Sequence, residues 1–399
     1  MAVITPSAGI PYFPPDIIKS ATGIFRTKRA INIFERKIEN FFGAKYFIAT
    51  NSGTTAFYII LLFLKSISPS DKKEVILPAY TAPSLILPIK RAGLEPKLVD
   101  IHPETFNMDI QKVLESITKK TLSVLVVHMF GIPVDFKHVQ ESIKKKDVYV
   151  IEDAASSMGS KIYGKYTGTI AEIGFFSLNR GKNTSNLTGG LIYLRNKENL
   201  KRVKKLAGDL PSISSLQKIN TFAKICGLSL AVRPFFYTVL NPLISKYKYT
   251  TLHKDFDAYQ YNSVQSALGE EVLKRYKIIF KLRKRNGDML YKGLKNNSNL
   301  VLPTLPHNAE VVFNQFPIVV KNKKNKEIIF RKLLEVGIET TFLYEKPLHH
   351  FYPELSPDRK KEPFPYSLFL AERLLLLPTH PQISTQKIRT IIEIVNEYA

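Results

Sequence analysis

Three short polar stretches carry side chains that could do chemistry. Residues 52–55 read Ser-Gly-Thr-Thr, Glu152 and Asp153 end a hydrophobic run, and Lys182 lies between a second hydrophobic run and the Gly189-Gly190 pair. Free backbone N–H groups and hydroxyls at residues 52–55, ahead of a helix, would bind an anion. A carboxylate could bind a metal, act as a base or keep a heteroaromatic nitrogen protonated, and a partly dehydrated lysine could act as a nucleophile. Each stretch alone also fits a structural role, as a helix cap, a strand-end cap or a surface lysine.

Together, the three stretches contain the parts needed to hold pyridoxal phosphate. The lysine would form an imine with the cofactor, the aspartate would keep the pyridine nitrogen positive, and residues 52–55 would anchor the phosphate. The sequence therefore predicts this cofactor, with the three stretches meeting at one place in the fold.

The elements that must bring these stretches together are short β-branched runs that alternate with helical stretches. The runs are residues 46–50, 74–80, 96–101, 123–131, 147–155, 172–178 and 190–196. Helix candidates such as residues 54–67 and 109–120 lie between them, and this alternation predicts an α/β fold with a mostly parallel sheet flanked by helices. In open α/β sheets, ligands bind outside the carboxyl ends of the strands, and all three polar stretches follow a run.

The pattern changes after about residue 250. Long helices, as in residues 262–295, are followed by strands around 311–320 and a helix at 384–398. We therefore expect a large domain over residues 1–248, with an N-terminal arm and an apolar helical insert near 222–247. A smaller C-terminal α+β domain should cover residues 249–399.

Composition narrows the class of partner. The chain has 399 residues, of which 44% are hydrophobic, and a formal net charge of +24 from 58 Lys and Arg against 34 Asp and Glu. The basic residues are scattered and come without a recognition-helix, zinc-finger or RNA-binding signature, so we expect no nucleic-acid partner. The single cysteine, Cys226, and an N-terminus without a secretory signal indicate a cytoplasmic protein. No group of His, Cys and Asp residues has metal-ligand spacing, so we expect no structural metal.

The apolar segment 222–247 leaves two interpretations open. A lysine, an arginine and two prolines interrupt it, so it is not expected to be a transmembrane helix. It forms either core or dimer-interface helices, or a helix pair that rests on a membrane surface with the help of Lys246, Lys248 and Lys254.

Longer stretches of the sequence resemble the DegT/DnrJ/EryC1/StrS family of sugar aminotransferases. They are NSGTTAF (51–57), residues 75–109, VVHMFGIPVD (126–135), VIEDAASSMGS (150–160), residues 176–196, VQSALG (264–269), KPLHHFY (346–352) and LLLLPTHPQIS (374–384). The resemblance holds in order and spacing over nearly the whole chain. It implies a fold type I enzyme that depends on pyridoxal 5'-phosphate.

The resemblance also implies roles for individual residues. Lys182 would be the Schiff-base lysine and Asp153 the partner of the pyridinium nitrogen. Six more residues would surround the cofactor: Gly53, Thr54 and Ser177 at the phosphate, Ser156 near the ring oxygen, and Tyr80 and Thr81 beneath or beside the ring. Members of the family are dimers whose sites use residues of both chains, so a homodimer is implied.

Four positions depart from the family pattern. Relatives stack an aromatic ring on the cofactor where this chain has Ala82, and Ala258 replaces an asparagine that crosses the dimer interface to the phosphate. A Glu-Gly-Gly run has become Thr188-Gly189-Gly190, and an N-terminal glycine appears as Lys28. The stacking ring and one phosphate contact must therefore be absent or supplied by other residues.

The function implied by the resemblance is transamination. An amino donor, by analogy glutamate, would aminate the keto carbon of a sugar carried on a nucleoside diphosphate, for polysaccharide or glycan precursor biosynthesis, with Lys182 as the base. Family members that are sugar dehydratases carry histidine in place of the lysine, and aminocyclitol synthesis remains an open variant. The alternative is a catalytically impaired relative that acts as a binding or membrane-associated partner. His349 and His350 lie where relatives place a histidine near the mouth of the site, and His128 is expected to have a structural role.

Overall fold

The computed structural model describes residues 3–9, 11–26, 28–244, 252, 254–358 and 360–399; Lys246 and Lys248 lie outside this part of the chain. The strands are β1 Phe47–Thr50, β2 Glu74–Pro78, β3 Glu95–Val99, β4 Thr121–Val127, β5 Tyr149–Asp153, β6 Lys161–Ile162, β7 Lys165–Tyr166, β8 Ile173–Ser177, β9 Gly190–Leu194, β10 Leu300–Val301, β11 Ala309–Glu310, β12 Phe316–Val320 and β13 Leu374–Leu377. The α-helices are α1 Pro14–Thr22, α2 Lys28–Phe42, α3 Gly53–Ile67, α4 Ile86–Arg91, α5 Ile110–Ser116, α6 Lys137–Lys145, α7 Lys197–Gly208, α8 Ser215–Ala231, α9 Pro234–Ile244, α10 Ser263–Val272, α11 Tyr276–Leu294, α12 Lys323–Glu335, α13 Leu348–Phe351, α14 Pro365–Arg373 and α15 Thr385–Tyr398.

A seven-stranded sheet organises the first half of the chain. Its strand order is β1-β9-β8-β5-β4-β2-β3, and each of the seven β-branched runs contributes one strand. Only β9 runs against the other six, because it pairs antiparallel with both β1 and β8. The predicted α/β fold with a mostly parallel, helix-flanked sheet is confirmed.

Burial on both faces explains why the sheet strands read as continuous apolar runs. All seven residues of β4 and all five of β8 are buried. Helix α3 is almost as apolar as these strands, and it packs against β8 and β9. One of its contacts is made by Phe57, whose ring stacks on that of Phe175 at 5.3 Å between centroids. The helix therefore starts at the carboxyl edge of the sheet and is held there by core packing.

A second, three-stranded sheet lies in the C-terminal part, with the order β10-β12-β13 and antiparallel pairing. The long helices predicted over residues 262–295 are α10 and α11, separated by a 3₁₀ turn at 273–275, where Arg275 forms an ion pair with Asp16 of α1 at 2.7 Å. This contact anchors the turn to the N-terminal arm. The domain boundary near residue 248 stays a prediction.

Helices α8 and α9 form the apolar insert. Within the described residues, no single helix is both long and apolar enough to cross a membrane; α8 and residues 234–240 of α9 meet that test only as a pair, and they are bent 98° from each other. Tyr237 faces inward, where its hydroxyl donates to Glu339 Oε2 at 2.6 Å, so α9 is fastened to the C-terminal part.

Candidate active site

A cavity of about 230 Å³ opens at the carboxyl ends of β2, β4, β5 and β8, beside the first turn of α3. Its walls are formed by Ser52, Gly53, Thr54, Thr81, Ala82, Ser84, Leu85, Val127, Met129, Asp153, Ala155, Ser156, Phe175, Ser177, Asn179, Lys182 and Tyr344. All three polar stretches of the sequence therefore meet at one place, as the order of parallel strands predicts.

Lys182 reaches into this cavity from a turn that follows β8. Its backbone N–H donates to Asn179 O at 3.2 Å, and Gly181 has a φ of 81°, which a residue with a side chain rarely adopts. The ammonium Nζ donates to Ser156 Oγ at 3.1 Å. Burial lowers the pKa of Lys182, and attraction to the Asp153 carboxylate opposes that effect. The amine is thus more easily deprotonated than that of a surface lysine.

Asp153 is the last residue of β5 and only 5% exposed. Its Oδ1 accepts a hydrogen bond from Ala155 N at 2.9 Å. Burial raises the pKa of this carboxyl, while the Ala155 N–H and the charge of Lys182 act in the opposite direction. A cation placed in the cavity would favour the carboxylate further.

The first turn of α3 supplies the anion cradle. Ser52 is its N-cap, with Oγ accepting from Thr55 N at 3.0 Å, so Gly53 and Thr54 begin the helix at the cavity. A Cβ atom at Gly53 would lie 3.0 Å from Ser177 Cβ, so glycine keeps the space between helix and strand open. At Gly190 a Cβ would lie 2.4 Å from Ser52 O, which explains why β9 can approach this turn so closely.

The segment after β2 forms another wall, although not with every residue expected there. Tyr80 is fully buried behind the cavity and donates from its hydroxyl to Tyr344 O at 3.2 Å. Thr81 and Ala82 line the cavity instead. Thr81 Oγ1 is buried and has no hydrogen-bond partner among the described residues, so this wall offers an unused polar atom to a ligand.

The departures from the family pattern also have defined places. Ala258 is buried, and the neighbouring Asp257 O accepts from Asn51 Nδ2 at 2.9 Å and from Thr55 Oγ1 at 3.3 Å. Ala258 therefore packs close to the α3 turn of its own chain without lining the cavity. Thr188 accepts hydrogen bonds from Gln265 Nε2 at both its carbonyl and its hydroxyl.

Two residues near the lysine were missed in the sequence. Tyr344 enters the cavity wall from the C-terminal part; burial and the Asp153 charge raise the pKa of its hydroxyl. Arg283 is 1% exposed and donates to Lys182 O at 3.4 Å and Asn314 O at 2.8 Å, and burial lowers its pKa to about 9. The only sequence signal for Tyr344 is its position two residues before the matched KPLHHFY stretch.

These features fit pyridoxal phosphate. The glycine cradle at Gly53 leaves room for an anion at a helix N-terminus, and Thr81 Oγ1 is unpaired. An amine with a lowered pKa and a buried carboxyl line the same cavity. This donor set matches the phosphate, aldehyde and ring nitrogen of the cofactor.

Comparison with known proteins decides the family. The sequence model of the DegT/DnrJ/EryC1/StrS aminotransferase family matches residues 18–234 and 242–396. The chain belongs to this family. It is a pyridoxal phosphate-dependent aminotransferase.

Relatives and solved structures agree with this membership. The chain is 28% identical over 371 residues to GDP-perosamine synthase of Escherichia coli O157:H7, covering 92% of this chain and 90% of that protein. It is 25% identical over 336 residues to GDP-4-keto-6-deoxy-D-mannose 3-dehydratase of Yersinia pseudotuberculosis, covering 80% and 78%. The putative sugar aminotransferase Spr1654 of Streptococcus pneumoniae, solved in PMP and PLP forms, shares the fold with a TM-score of 0.76 at 22% identity, covering 98% of this chain and 97% of the PMP-form chain.

Proposed function

We propose that this aminotransferase transfers an amino group to a keto sugar carried on a nucleoside diphosphate, with glutamate as the donor, in glycan or polysaccharide precursor biosynthesis. The observation that carries the proposal is that Lys182 and Asp153 line one cavity with the N-terminus of α3. The names of the two relatives, which contain GDP-linked sugars or their products, support a nucleotide-linked acceptor.

In this proposal, Lys182 would bind the cofactor covalently and Asp153 would hold its ring nitrogen. The phosphate would lie at Gly53, Thr54 and Ser177, where helix N–H groups and hydroxyls face the cavity. Ser156 would lie near the ring oxygen, and Thr81 Oγ1 would gain a partner. Tyr80 would support the cavity wall without lining it, because its hydroxyl donates to the backbone carbonyl of the wall residue Tyr344.

When bound, pyridoxal phosphate supplies an aldehyde and an electron-withdrawing ring. Lys182 would move the proton, because its lowered pKa increases the fraction of neutral amine that can accept one. Ser156 Oγ, 3.1 Å from Nζ, would orient the amine between proton transfers. Asp153 would stabilise positive charge on the ring nitrogen of the cofactor, and its burial excludes water from that contact.

Borohydride reduction of the purified, cofactor-loaded protein tests the role of Lys182. Peptide mass spectrometry should find the reduced adduct on Lys182, and Lys182→Ala should show no adduct. Lys165→Ala, at an exposed lysine, should label as the wild type does. Reduction at another lysine, with Lys182 unmodified, would contradict the assignment.

A substrate panel separates transamination from sugar dehydration. Glutamate and several GDP- or dTDP-linked keto sugars would be incubated with the enzyme, and the products analysed by mass spectrometry. Transamination yields an amino sugar and 2-oxoglutarate, whereas dehydration yields a sugar that has lost a hydroxyl. The lysine at position 182 favours the first outcome, and loss of water without incorporation of nitrogen would refute it.

A homodimer is part of the proposal, because the family resemblance implies sites built from two chains. Phe25 and Ile18, which are 89% and 68% exposed, lie on the N-terminal arm and would be covered by a partner chain. Sedimentation at micromolar concentration should give twice the mass of one chain.

We also propose that α8 and α9 contact the anionic inner face of a membrane. Their outward side chains include Leu216, Phe235 and Val239, which are 76%, 66% and 64% exposed. Lys224 on α8 and Arg233 between the two helices are exposed, and the chain carries a charge of +24, so the surface complements anionic lipid. Residues 235–241, which hold two of these apolar side chains, lie outside the part matched by the family model.

A further inference from the structure

A cluster of three ligand-type side chains lies outside the active-site cavity. His349 and His350 belong to α13, and Glu362 lies in the segment before α14. His349 Nε2 is 2.8 Å from Glu362 Oε1, and His350 Nε2 is 3.2 Å from Glu362 Oε2. One ligand atom from each residue lies within 4.8 Å of the other two. The separation of 12 residues between His350 and Glu362 is not a metal-binding motif, which is why no structural metal was expected from the sequence.

The environment of His349 distinguishes this cluster from an ordinary ion pair. The side chain is 5% exposed, and neither ring nitrogen makes a hydrogen bond among the described residues. Nε2 lies 2.8 Å from Glu362 Oε1 without a hydrogen bond between them, so two ligand-type atoms are in close contact there. A buried imidazole without a hydrogen bond is unfavourable, so a ligand that satisfied it would stabilise the fold.

A metal ion fits that geometry better than a proton does. A proton must lie almost on the line between donor and acceptor. A tetrahedral ion, about 2.0–2.2 Å from nitrogen and oxygen ligands, lies to one side of the line that joins two of them. A lone pair of His349 Nε2 that points to one side of the line from Nε2 to Glu362 Oε1 can therefore still bind an ion that Oε1 also binds.

We propose that His349, His350 and Glu362 bind one divalent transition-metal ion, with zinc the best match. Two imidazoles and one carboxylate are ligands that Zn²⁺ accepts, whereas Mg²⁺ and Ca²⁺ prefer oxygen atoms alone. Water would complete the coordination, because His350 and Glu362 are exposed. This inference is independent of the amino acceptor and donor.

The position of the cluster gives the ion a structural role. Leu348 N donates to Ala79 O at 2.7 Å, and Tyr352 OH donates to Pro83 O at 3.3 Å. Helix α13 and the following residue, Tyr352, therefore brace both ends of residues 79–83, the segment that carries cavity wall residues Thr81 and Ala82. An ion that joins α13 to Glu362 would tie this brace to the segment before α14.

The test uses tag-free, cofactor-loaded protein freed of metal by a chelator and then dialysed. Titration with Zn²⁺, followed by elemental analysis, should give one ion per chain, and Co²⁺ should give the visible absorption band of a tetrahedral site. Millimolar Mg²⁺ should not displace Co²⁺.

Two variants on the exposed side of the cluster locate the ion. Glu362→Gln and His350→Ala should each weaken Zn²⁺ binding at least about tenfold, since even outer partners of metal ligands contribute that much. His307→Ala, at an exposed histidine elsewhere, should bind as the wild type does. Melting curves without metal show whether each variant is folded. Folded protein with no saturable Zn²⁺ or Co²⁺ binding, or binding equal in all three variants, would overturn the proposal.

Discussion

Replacing Glu35 by glutamine should change how the stability of this aminotransferase depends on pH. Glu35 lies in α2, is 7% exposed, and accepts a hydrogen bond from Ala49 N at 2.9 Å. Among the described residues it forms an ion pair with Lys204, whose Nζ is 4.0 Å from Oε2 and half exposed. Burial is therefore poorly compensated, and it raises the pKa of Glu35 from 4.5 to about 7.

The sign of the effect follows from proton binding. Below pH 4.5 the Glu35 carboxyl is protonated in both the folded and the unfolded state, so it does not lower the free energy of unfolding. Between pH 4.5 and 7 the unfolded chain releases the proton while the folded chain keeps it, so the free energy of unfolding falls as pH rises. A shift from 4.5 to about 7, at about 1.4 kcal/mol per pH unit, gives a loss of roughly 3 kcal/mol by pH 8.

Glu35→Gln should remove this loss, because an amide oxygen still accepts from Ala49 N and does not ionise. The assay is urea unfolding of wild type and variant at pH 5 and pH 8. Between pH 5 and pH 8 the difference in free energy of unfolding between variant and wild type should grow by roughly 2.5 kcal/mol in favour of the variant, since the smaller part of the loss is already present at pH 5. Glu39→Gln, one turn away at a partly exposed acid that accepts from Tyr46 N, is the control. An equal pH response in wild type and Glu35→Gln would refute the reasoning.

Three further predictions concern the active site and the surface. Gly53→Ala should weaken cofactor binding at least about tenfold, measured by fluorescence titration, because its Cβ would lie 3.0 Å from Ser177 Cβ in the anion cradle. Asp153→Asn should retain bound cofactor but lower kcat by about 10²-fold or more, since an amide cannot stabilise a ring cation as a carboxylate does; a variant with wild-type kcat would contradict that role. Replacing Phe235 and Phe236 by serine should abolish the sedimentation of the protein with anionic vesicles. Zwitterionic vesicles should bind neither the wild type nor this double variant. A changed oligomeric mass of the double variant would instead identify the surface as a subunit interface.

The central site was predictable because parallel strands place their carboxyl ends at one edge. Gly53, Asp153 and Lys182 are far apart in sequence, yet each follows a buried strand, so topology alone brings them to the same cavity. The reverse direction of β9 was not predictable, since a buried apolar run reads the same in either orientation.

The sequence could not predict contacts between elements that lie far apart in the chain. Tyr344 and Arg283 come from the C-terminal part, and their positions at the lysine depend on how helices pack. Tyr80 and Thr81 were both expected beneath or beside the cofactor ring. Thr81 lines the cavity, whereas Tyr80 is fully buried and its hydroxyl donates to Tyr344 O, a contact with the C-terminal part that the sequence does not show.

The neighbouring acids Glu152 and Asp153 show how the strand separates two roles that the sequence leaves open. Side chains alternate across a sheet, so only one of two adjacent residues can face the cavity. Glu152 is fully buried on the other side, where it accepts from Gly168 N at 2.8 Å and Ile170 N at 2.7 Å and lies 3.0 Å from His128 Nε2. Because His128 Nδ1 accepts from Val134 N, the ring proton is on Nε2 and donates to Glu152. Glu152 thus has every strong partner it needs within the fold, and Asp153, with one backbone donor and an open cavity before it, is the acid left for a ligand.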